Sequence, residues 1–130
     1  MAYLRLFSLL FVPMKELFAP ELTFRVSGRL WIESDQDRFL GPGRMELLEK
    51  IQEFGSISKA AAAMGMSYKK AWDLVASMNQ QAHSPMVIAQ TGGKKGGGAS
   101  VTEMGEQAIT RYKALQTRFR AFLDQETQAL

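Results

Sequence analysis

Apolar and polar side chains alternate along one stretch of the N-terminal third of the chain. The apolar positions are Leu22, Phe24, Val26, Leu30 and Ile32. A period of two places such residues on one face of a β-strand. The pattern therefore predicts a half-buried strand over residues 22–33, in which Gly28 marks a bulge or a break into two strands. The segment SDQDRFLGPG that follows, residues 34–43, is polar and ends in turn residues.

A helical period replaces the alternation after this turn. The segment GRMELLEKIQEF, residues 43–54, has apolar side chains at helical spacing and predicts an amphipathic helix. Its predicted buried residues are Leu47, Leu48, Ile51 and Phe54. Pro42 suits the first turn, where its missing N–H would have had no partner. We expect Gly55 to end the helix, because glycine adopts the left-handed conformation without a steric penalty.

Two more helices follow in close succession. The segments SISKAAAAMG, residues 56–65, and SYKKAWDLVASMNQQA, residues 67–82, each begin with a serine suited to the N-cap position. Only a glycine and a methionine separate them, so the two helices must meet at a tight corner. A helix-turn-helix requires a glycine in the turn and small residues where the helices approach each other. Gly65, Ala60 and Ala61 meet these requirements.

The second of these helices combines an apolar stripe with a polar face. The stripe consists of Ala71, Leu74, Val75 and Met78. With the stripe inward, Lys69, Lys70, Asp73 and Ser77 point outward, and Tyr68 and Trp72 lie at the margin. Such a face can enter the major groove of DNA, where lysine and serine reach phosphates or base edges and a carboxylate accepts from cytosine N4. A helical hairpin with a solvated charged face shows the same pattern.

A glycine-rich tract, TGGKKGGGAS at residues 91–100, lies between the apolar run MVIAQ and the short segment SVT. Its position predicts the turn of a hairpin between two short strands. Strand, three helices and hairpin is the chain order of a winged helix-turn-helix, in which this tract would be the wing. Glycines let a backbone lie close to phosphates, and Lys94 and Lys95 add positive charge. A flexible linker is the alternative interpretation.

The distribution of charge favours the wing. The chain of 130 residues carries 16 Lys and Arg against 13 Asp and Glu, a net charge of +3. Residues 66–102 hold four lysines and one aspartate, so this segment accounts for the whole excess. A basic segment of this kind suits a polyanionic partner.

The C-terminal segment predicts a long helix from Thr102 to the end of the chain. Its apolar positions alternate between spacings of four and three residues, which is typical of a helix that packs against another helix along a narrow seam. The seam consists of Ala108, Tyr112, Leu115, Phe119 and Phe122. We expect it to form a homodimer interface.

Other functional classes find little support in the sequence. The chain has no cysteine, which excludes disulfides and thiolate chemistry and suits a reducing cytoplasm. The glycine tract matches neither a Walker loop nor a dinucleotide-binding fingerprint. The single His83 and the scattered carboxylates offer no metal cage. We therefore expect a cytoplasmic protein that is not an enzyme and has no cofactor.

The first residues form an apolar run, MAYLRLFSLLFV, that is too short to cross a bilayer. One arginine before an apolar core is a weak signal-peptide pattern, but no small-residue cleavage motif follows. A docking arm is one alternative. A start codon placed too early, with Met14 as the true start, is the other.

Two segments carry a family resemblance. GSISKAAAAMGMSYKKAWDLVASMNQ, residues 55–80, followed by TGGKKGGGASVTEMG, residues 91–105, resembles the N-terminal DNA-binding domain of ModE-type molybdate-responsive transcriptional regulators, a winged helix akin to that of LysR-type regulators. The resemblance covers about residues 22–125. It implies that Ser67, Tyr68, Lys69, Lys70 and Asp73 lie in or beside the major groove. It also implies that Thr91, Gly92, Gly93, Lys94 and Lys95 form the wing on the DNA backbone.

The resemblance further implies a homodimer that reads a palindromic operator on double-stranded DNA. We therefore predict a mainly α fold with a small antiparallel sheet, organised as an arm (residues 1–21), a winged helix-turn-helix (22–102) and a dimerisation helix (103–130). Family members continue into a C-terminal oxyanion-binding region, which we do not expect in this chain.

Two other functions are compatible with the same residues. One is an oxyanion-binding accessory protein of molybdenum metabolism that binds molybdate or tungstate through the N–H groups of the glycine tract. The other is an interaction module whose winged fold no longer binds DNA and whose last helix docks a partner.

Overall fold

The computed structural model describes residues 12–90 and 98–130, and α-helices account for more than half of them. The helices are α1 (Pro42–Phe54), α2 (Ile57–Ala63), α3 (Tyr68–Gln81) and α4 (Glu103–Gln128), and a short 3-10 turn spans Met14–Leu17. The strands are β1 (Ile32–Glu33), β2 (Arg38–Leu40), β3 (Val87–Gln90) and β4 (Gly98–Val101). They pair in sequence order as two antiparallel hairpins. The predicted mainly α, winged helix-turn-helix fold with a long C-terminal helix is confirmed.

The described chain forms two compact units. One comprises Arg29–Thr117 and contains the helix-turn-helix and both hairpins. The other comprises the described residues up to Gly28 together with Arg118–Leu130. Within the latter, the Val26 N–H donates a hydrogen bond to Thr127 Oγ1 at 2.9 Å.

Most predicted features of helix α1 are confirmed. It begins at Pro42 and ends at Gly55, whose φ of 64° is left-handed and whose N–H bonds to the carbonyl of Ile51. Leu47 and Leu48 are fully buried, as is Ile51. The prediction for Phe54 is wrong: its ring is 40% exposed and lies 5.9 Å from the Lys50 ammonium. Phe54 occupies the last turn, where the helix no longer faces the core, and Met45 in the first turn is buried instead.

The corner between α2 and α3 forms as the sequence predicts. The Ser56 and Ser67 hydroxyls cap the two helices by accepting from the N–H groups of Lys59 and Lys70. Gly65 supplies the left-handed turn with a φ of 66°. Ala60 and Ala61 on α2 are buried, which is where a small side chain permits the close approach of another helix.

The predicted strand over residues 22–33 is wrong over most of its length. Residues 23–31 have no regular secondary structure, and only β1 forms, opposite β2. A strand needs a hydrogen-bonding neighbour, and in the described part of the chain β2 provides one only for Ile32 and Glu33. The polar segment of residues 34–43 holds a turn at residues 34–37, after which the chain returns as β2.

The hydrophobic core lies in the unit that contains the helix-turn-helix. It is formed by one face of each of α1, α2 and α3, by the beginning of β3 and by the first turns of α4, where Ile109 and Tyr112 are buried. Among residues 12–90 and 98–130, no helix has both the length and the apolar character needed to cross a membrane.

Candidate nucleic-acid interface

Helix α3 presents the predicted polar residues because its opposite face is held in the core. Ala71, Val75 and Met78 are buried, and Leu74 is partly buried against the same core. Tyr68 at the start of the helix is 54% exposed, and its ring meets Trp72 edge-on with centroids 6.1 Å apart. The first two turns of α3 are therefore a rigid, solvent-facing element.

Lys69 and Asp73 lie one helical turn apart and form an ion pair with an Nζ–Oδ2 distance of 3.3 Å. Their side chains are 87% and 68% exposed. An ion pair in water at this spacing is worth about 0.3–0.5 kcal/mol, so either group can exchange its partner for a DNA group. Ser67 is less free, because its hydroxyl accepts from the N–H of Lys70 at 3.0 Å.

Ser77 lies in a polar network rather than on an open surface. Its hydroxyl donates to Asp37 Oδ2 at 2.7 Å and accepts from the Arg44 guanidinium at 2.9 Å and from the Gln81 side-chain amide at 3.1 Å. The network joins α3 to α1 and to the loop between β1 and β2. These contacts within the chain give Ser77 a structural role that does not require DNA.

The carboxylate of Asp37 is the acceptor at the centre of this network. Besides Ser77, it accepts from the backbone N–H of Arg38 at 2.8 Å and from the Arg44 guanidinium at 3.1 Å. Hydrogen bonds to the carboxylate, above all from the Ser77 hydroxyl, lower the pKa of Asp37 from 3.8 to about 2. Asp37 is therefore ionised at neutral pH and neutralises Arg44.

The base of the wing hairpin is hydrogen-bonded on one strand to α3 and on the other to Gly55 at the end of α1. On β3, the Asn79 side chain of α3 donates to the Val87 carbonyl at 2.9 Å and accepts from the N–H groups of Met86 and Val87 at 2.8 and 3.1 Å. On β4, the N–H of Ala99 donates to the Gly55 carbonyl at 2.9 Å. The predicted wing residues Thr91, Gly92, Gly93, Lys94 and Lys95 lie outside the described residues.

The five predicted seam positions of α4 have different surroundings. Tyr112 is 1% exposed and donates to the Leu30 carbonyl at 2.8 Å, and burial raises the pKa of its hydroxyl. Ala108 is also packed against the core of the same chain. Leu115 and Phe119 are half-buried, and Phe122 is 52% exposed. The apolar surface that these positions leave exposed is therefore concentrated in the C-terminal half of the helix.

Known proteins are similar to this chain in sequence. Residues 43–106 match the model of the family described as bacterial regulatory helix-turn-helix protein, lysR family. The chain is 36% identical over 106 residues to the molybdenum transport protein ModE of Azotobacter vinelandii, covering 82% of this chain and 39% of that protein. It is 44% identical over 88 residues to the transcriptional regulator ModE of Yersinia pestis, covering 68% of this chain and 34% of that protein.

A third relative is the DNA-binding transcriptional dual regulator ModE of Escherichia coli K12. The identity is 43% over 94 residues, which cover 72% of this chain and 36% of that protein. The chain thus spans between 34% and 39% of the length of these three relatives. Residues 43–106, which match the lysR family model, contain α1 from Gly43 onward, α2, α3, both strands of the wing hairpin and the start of α4. Residues 43–106 therefore carry a LysR-type helix-turn-helix domain, and the chain is similar over that region to part of the ModE proteins.

Proposed function

We propose that this protein is a sequence-specific DNA-binding transcriptional regulator that acts on double-stranded DNA in the cytoplasm as a homodimer. One observation carries the proposal. The first turns of α3 expose Tyr68, Lys69 and Asp73 on a helix whose other face is buried. The neighbouring hairpin is hydrogen-bonded to α3 on one strand and to the end of α1 on the other. A recognition helix requires this rigidity, because base edges are read by side chains held in a fixed orientation.

In this proposal the N-terminal half of α3 enters the major groove. Lys69 reaches a phosphate or a guanine edge, and Asp73, released from Lys69, accepts from cytosine N4. Tyr68 lies beside the groove. The glycine tract lies along the DNA backbone as the wing, with Lys94 and Lys95 near phosphates. This division gives specificity to α3 and positioning to the wing.

The proposed dimer uses the N-terminal segment and α4 from Leu115 onward. Large apolar side chains there are between 38% and 67% exposed, and they are Met14, Leu17, Leu22, Phe24 and Phe122. A second copy that covers them would remove apolar surface from water at about 25 cal/mol per Å². We propose that residues 103–130 form the dimerisation helix, with Leu115, Phe119 and Phe122 as its contacts, because Ala108 and Tyr112 are used inside the chain. The arm of residues 1–21 precedes the domain of residues 22–102.

A selection from random DNA fragments, followed by fluorescence anisotropy on the enriched site, tests DNA reading. We expect the enriched site to bind at least about a thousandfold more tightly than the pool. Lys69→Ala should weaken binding or change the preferred bases, whereas Lys50→Ala, which removes a cation among the carboxylates of α1, should do neither. Binding that is equal for all sequences would contradict the proposal. Analytical ultracentrifugation at micromolar concentration tests the dimer, and a monomer would refute that part alone.

A further inference from the structure

A basic cleft lies beside the start of α3 and is distinct from the exposed Lys69–Asp73 face. It encloses about 360 Å³. Its lining includes Arg29, Trp31, Arg38, Arg44, Met66 and Lys70 and contains no carboxylate among the described residues. Four cations from four different parts of the chain therefore converge on one concave surface, which is the arrangement that binds an anion.

One of these cations is held in place by stacking. The guanidinium carbon of Arg38 lies 4.3 Å from the centre of the Trp31 ring. Trp31 is fixed in turn, because its indole packs so closely on Gly41 that a Cβ there would overlap it. Glu33 approaches Arg38 at 3.5 Å, but both side chains are more than half exposed, so this ion pair is weak and exchangeable. A stacked guanidinium keeps its planar fork of N–H donors oriented for phosphate oxygens.

The other three cations differ in availability. Arg44 is neutralised by Asp37 at 3.1 Å and acts as part of the wall. Arg29 and Lys70 form no ion pair within residues 12–90 and 98–130. Their charges, together with that of Arg38, remain available to an anionic ligand.

Lys70 links the cleft to the proposed recognition face. It follows Lys69 directly on α3, and a residue of helix rises only about 1.5 Å. However, Lys69 pairs with Asp73, whereas Lys70 lines the cleft with Arg29 and Arg38. An anion in the cleft therefore lies within about one helical turn of the groups proposed to read bases. In duplex DNA the sugar-phosphate backbone flanks the groove that a recognition helix enters.

We infer that the cleft binds a backbone phosphate of DNA next to the base pairs that α3 contacts, with Arg29, Arg38 and Lys70 as its ligands. This inference rests on the proposed DNA-binding function and adds a second anchor beside α3, where Lys70 lines the cleft. It gives the two adjacent lysines different roles. Lys69 takes part in sequence recognition, and Lys70 in sequence-independent positioning.

The test compares Arg29→Gln and Arg38→Gln with Lys50→Gln in the intact chain. Lys50 is the matched control, because it carries the same charge but lies among Glu46, Glu49 and Glu53. Anisotropy is measured over a salt series with the enriched site and with the random pool. Circular dichroism and thermal unfolding check that each variant folds. If Arg38→Gln folds poorly, it is replaced by Arg38→Lys, which keeps the charge. The loss of a phosphate contact is then tested with Arg29→Gln, because Arg29 has no ion pair among the described residues.

Each arginine variant should make the slope of log affinity against log salt less negative by about 0.9 per bound chain, the value for one lost phosphate contact. The same relation gives an affinity loss of about fivefold per chain at 0.15 M salt. The loss should be equal for the enriched site and the pool, and Lys50→Gln should show neither effect.

Three results would overturn the inference. Arginine variants that bind DNA like Lys50→Gln would show that the cleft has no phosphate contact, while the proposed function stands. A wild-type protein that binds no DNA even at low salt would refute the proposed function itself. Calorimetry with sodium molybdate and no DNA distinguishes a free oxyanion: binding by the wild type that is lost in Arg29→Gln, with DNA affinity unchanged, would assign the cleft to that ion instead.

Discussion

Asn79 ties α3 to the start of the first wing strand through side-chain hydrogen bonds, so its removal should be strongly destabilising. Its amide makes three hydrogen bonds to the backbone of Met86 and Val87, at 2.8, 2.9 and 3.1 Å. Each such bond contributes about 1 kcal/mol net, and a partly buried group that loses its partner incurs a further penalty. Asn79→Ala should therefore lower the free energy of unfolding by about 3 kcal/mol.

Asn79→Asp is the matched control because it changes one atom of the amide. A carboxylate still accepts from the two N–H groups but cannot donate to the Val87 carbonyl. We expect a loss of about 1–2 kcal/mol, smaller than that for alanine. The assay is urea unfolding followed by circular dichroism, with the m-value checked for a change in the unfolded state.

The same variants separate stability from wing position. Under conditions where both remain folded, Asn79→Ala should weaken DNA binding more than Asn79→Asp, because it frees β3 from α3. A loss of less than about 0.5 kcal/mol in Asn79→Ala would refute the reasoning, since that is the size of effect expected for a surface substitution without special contacts. An alanine variant more stable than the aspartate variant would also contradict it.

Three further outcomes follow from other contacts. Gly105→Ala should destabilise the domain by about 1–3 kcal/mol in urea unfolding, because its Cβ would overlap the Met86 carbonyl oxygen; an unchanged midpoint would contradict this packing. Tyr112→Phe removes the hydrogen bond to the Leu30 carbonyl and should lower the free energy of unfolding by about 1 kcal/mol, and a Tyr112→Phe protein as stable as the wild type would show that bond to be dispensable. The pKa of Asp37 is lowered from 3.8 to about 2 in the folded chain. Between these pH values the unfolded chain therefore binds more protons than the folded chain. The stabilisation that the Asp37 carboxylate provides is complete above pH 3.8 and is lost as the pH falls toward 2. Asp37→Asn should therefore flatten the dependence of the unfolding free energy on pH in that window, and an equally steep profile would refute the assignment.

The parts of the fold that the sequence predicts are those with local causes. The corner between α2 and α3 depends on Gly65 and on two serine caps, all within twelve residues of chain. The hairpin after α3 depends on two short apolar runs around a glycine tract. Helical phase then places Lys69 and Asp73 outside and Val75 inside. The sequence predicts these features because turns, helix caps and helical periodicity depend on neighbouring residues.

The parts that the sequence does not predict depend on distant residues. An alternating pattern does not show whether a second strand lies beside it, so the strand over residues 22–33 was expected at a length that β2 cannot pair. β2 itself was missed, because Arg38–Leu40 follows polar turn residues and is only three residues long. Asn79 gave no signal as a tether, since its hydrogen-bond partners lie beyond the end of α3 and are backbone groups, which carry no sequence signature.

The same limitation explains why outward position on α3 does not by itself indicate DNA contact. Helical period separates buried from exposed positions. However, the side of α3 that carries Lys70, Ser77 and Gln81 faces the β1–β2 hairpin. Ser77 donates to the Asp37 carboxylate at 2.7 Å, and Gln81 donates to the Arg38 carbonyl at 2.9 Å. These contacts span about 40 positions of sequence, so no local pattern reveals them. Base reading by α3 is therefore best sought in its first two turns, at Lys69 and Asp73, whose side chains are exposed and pair only with each other among the described residues.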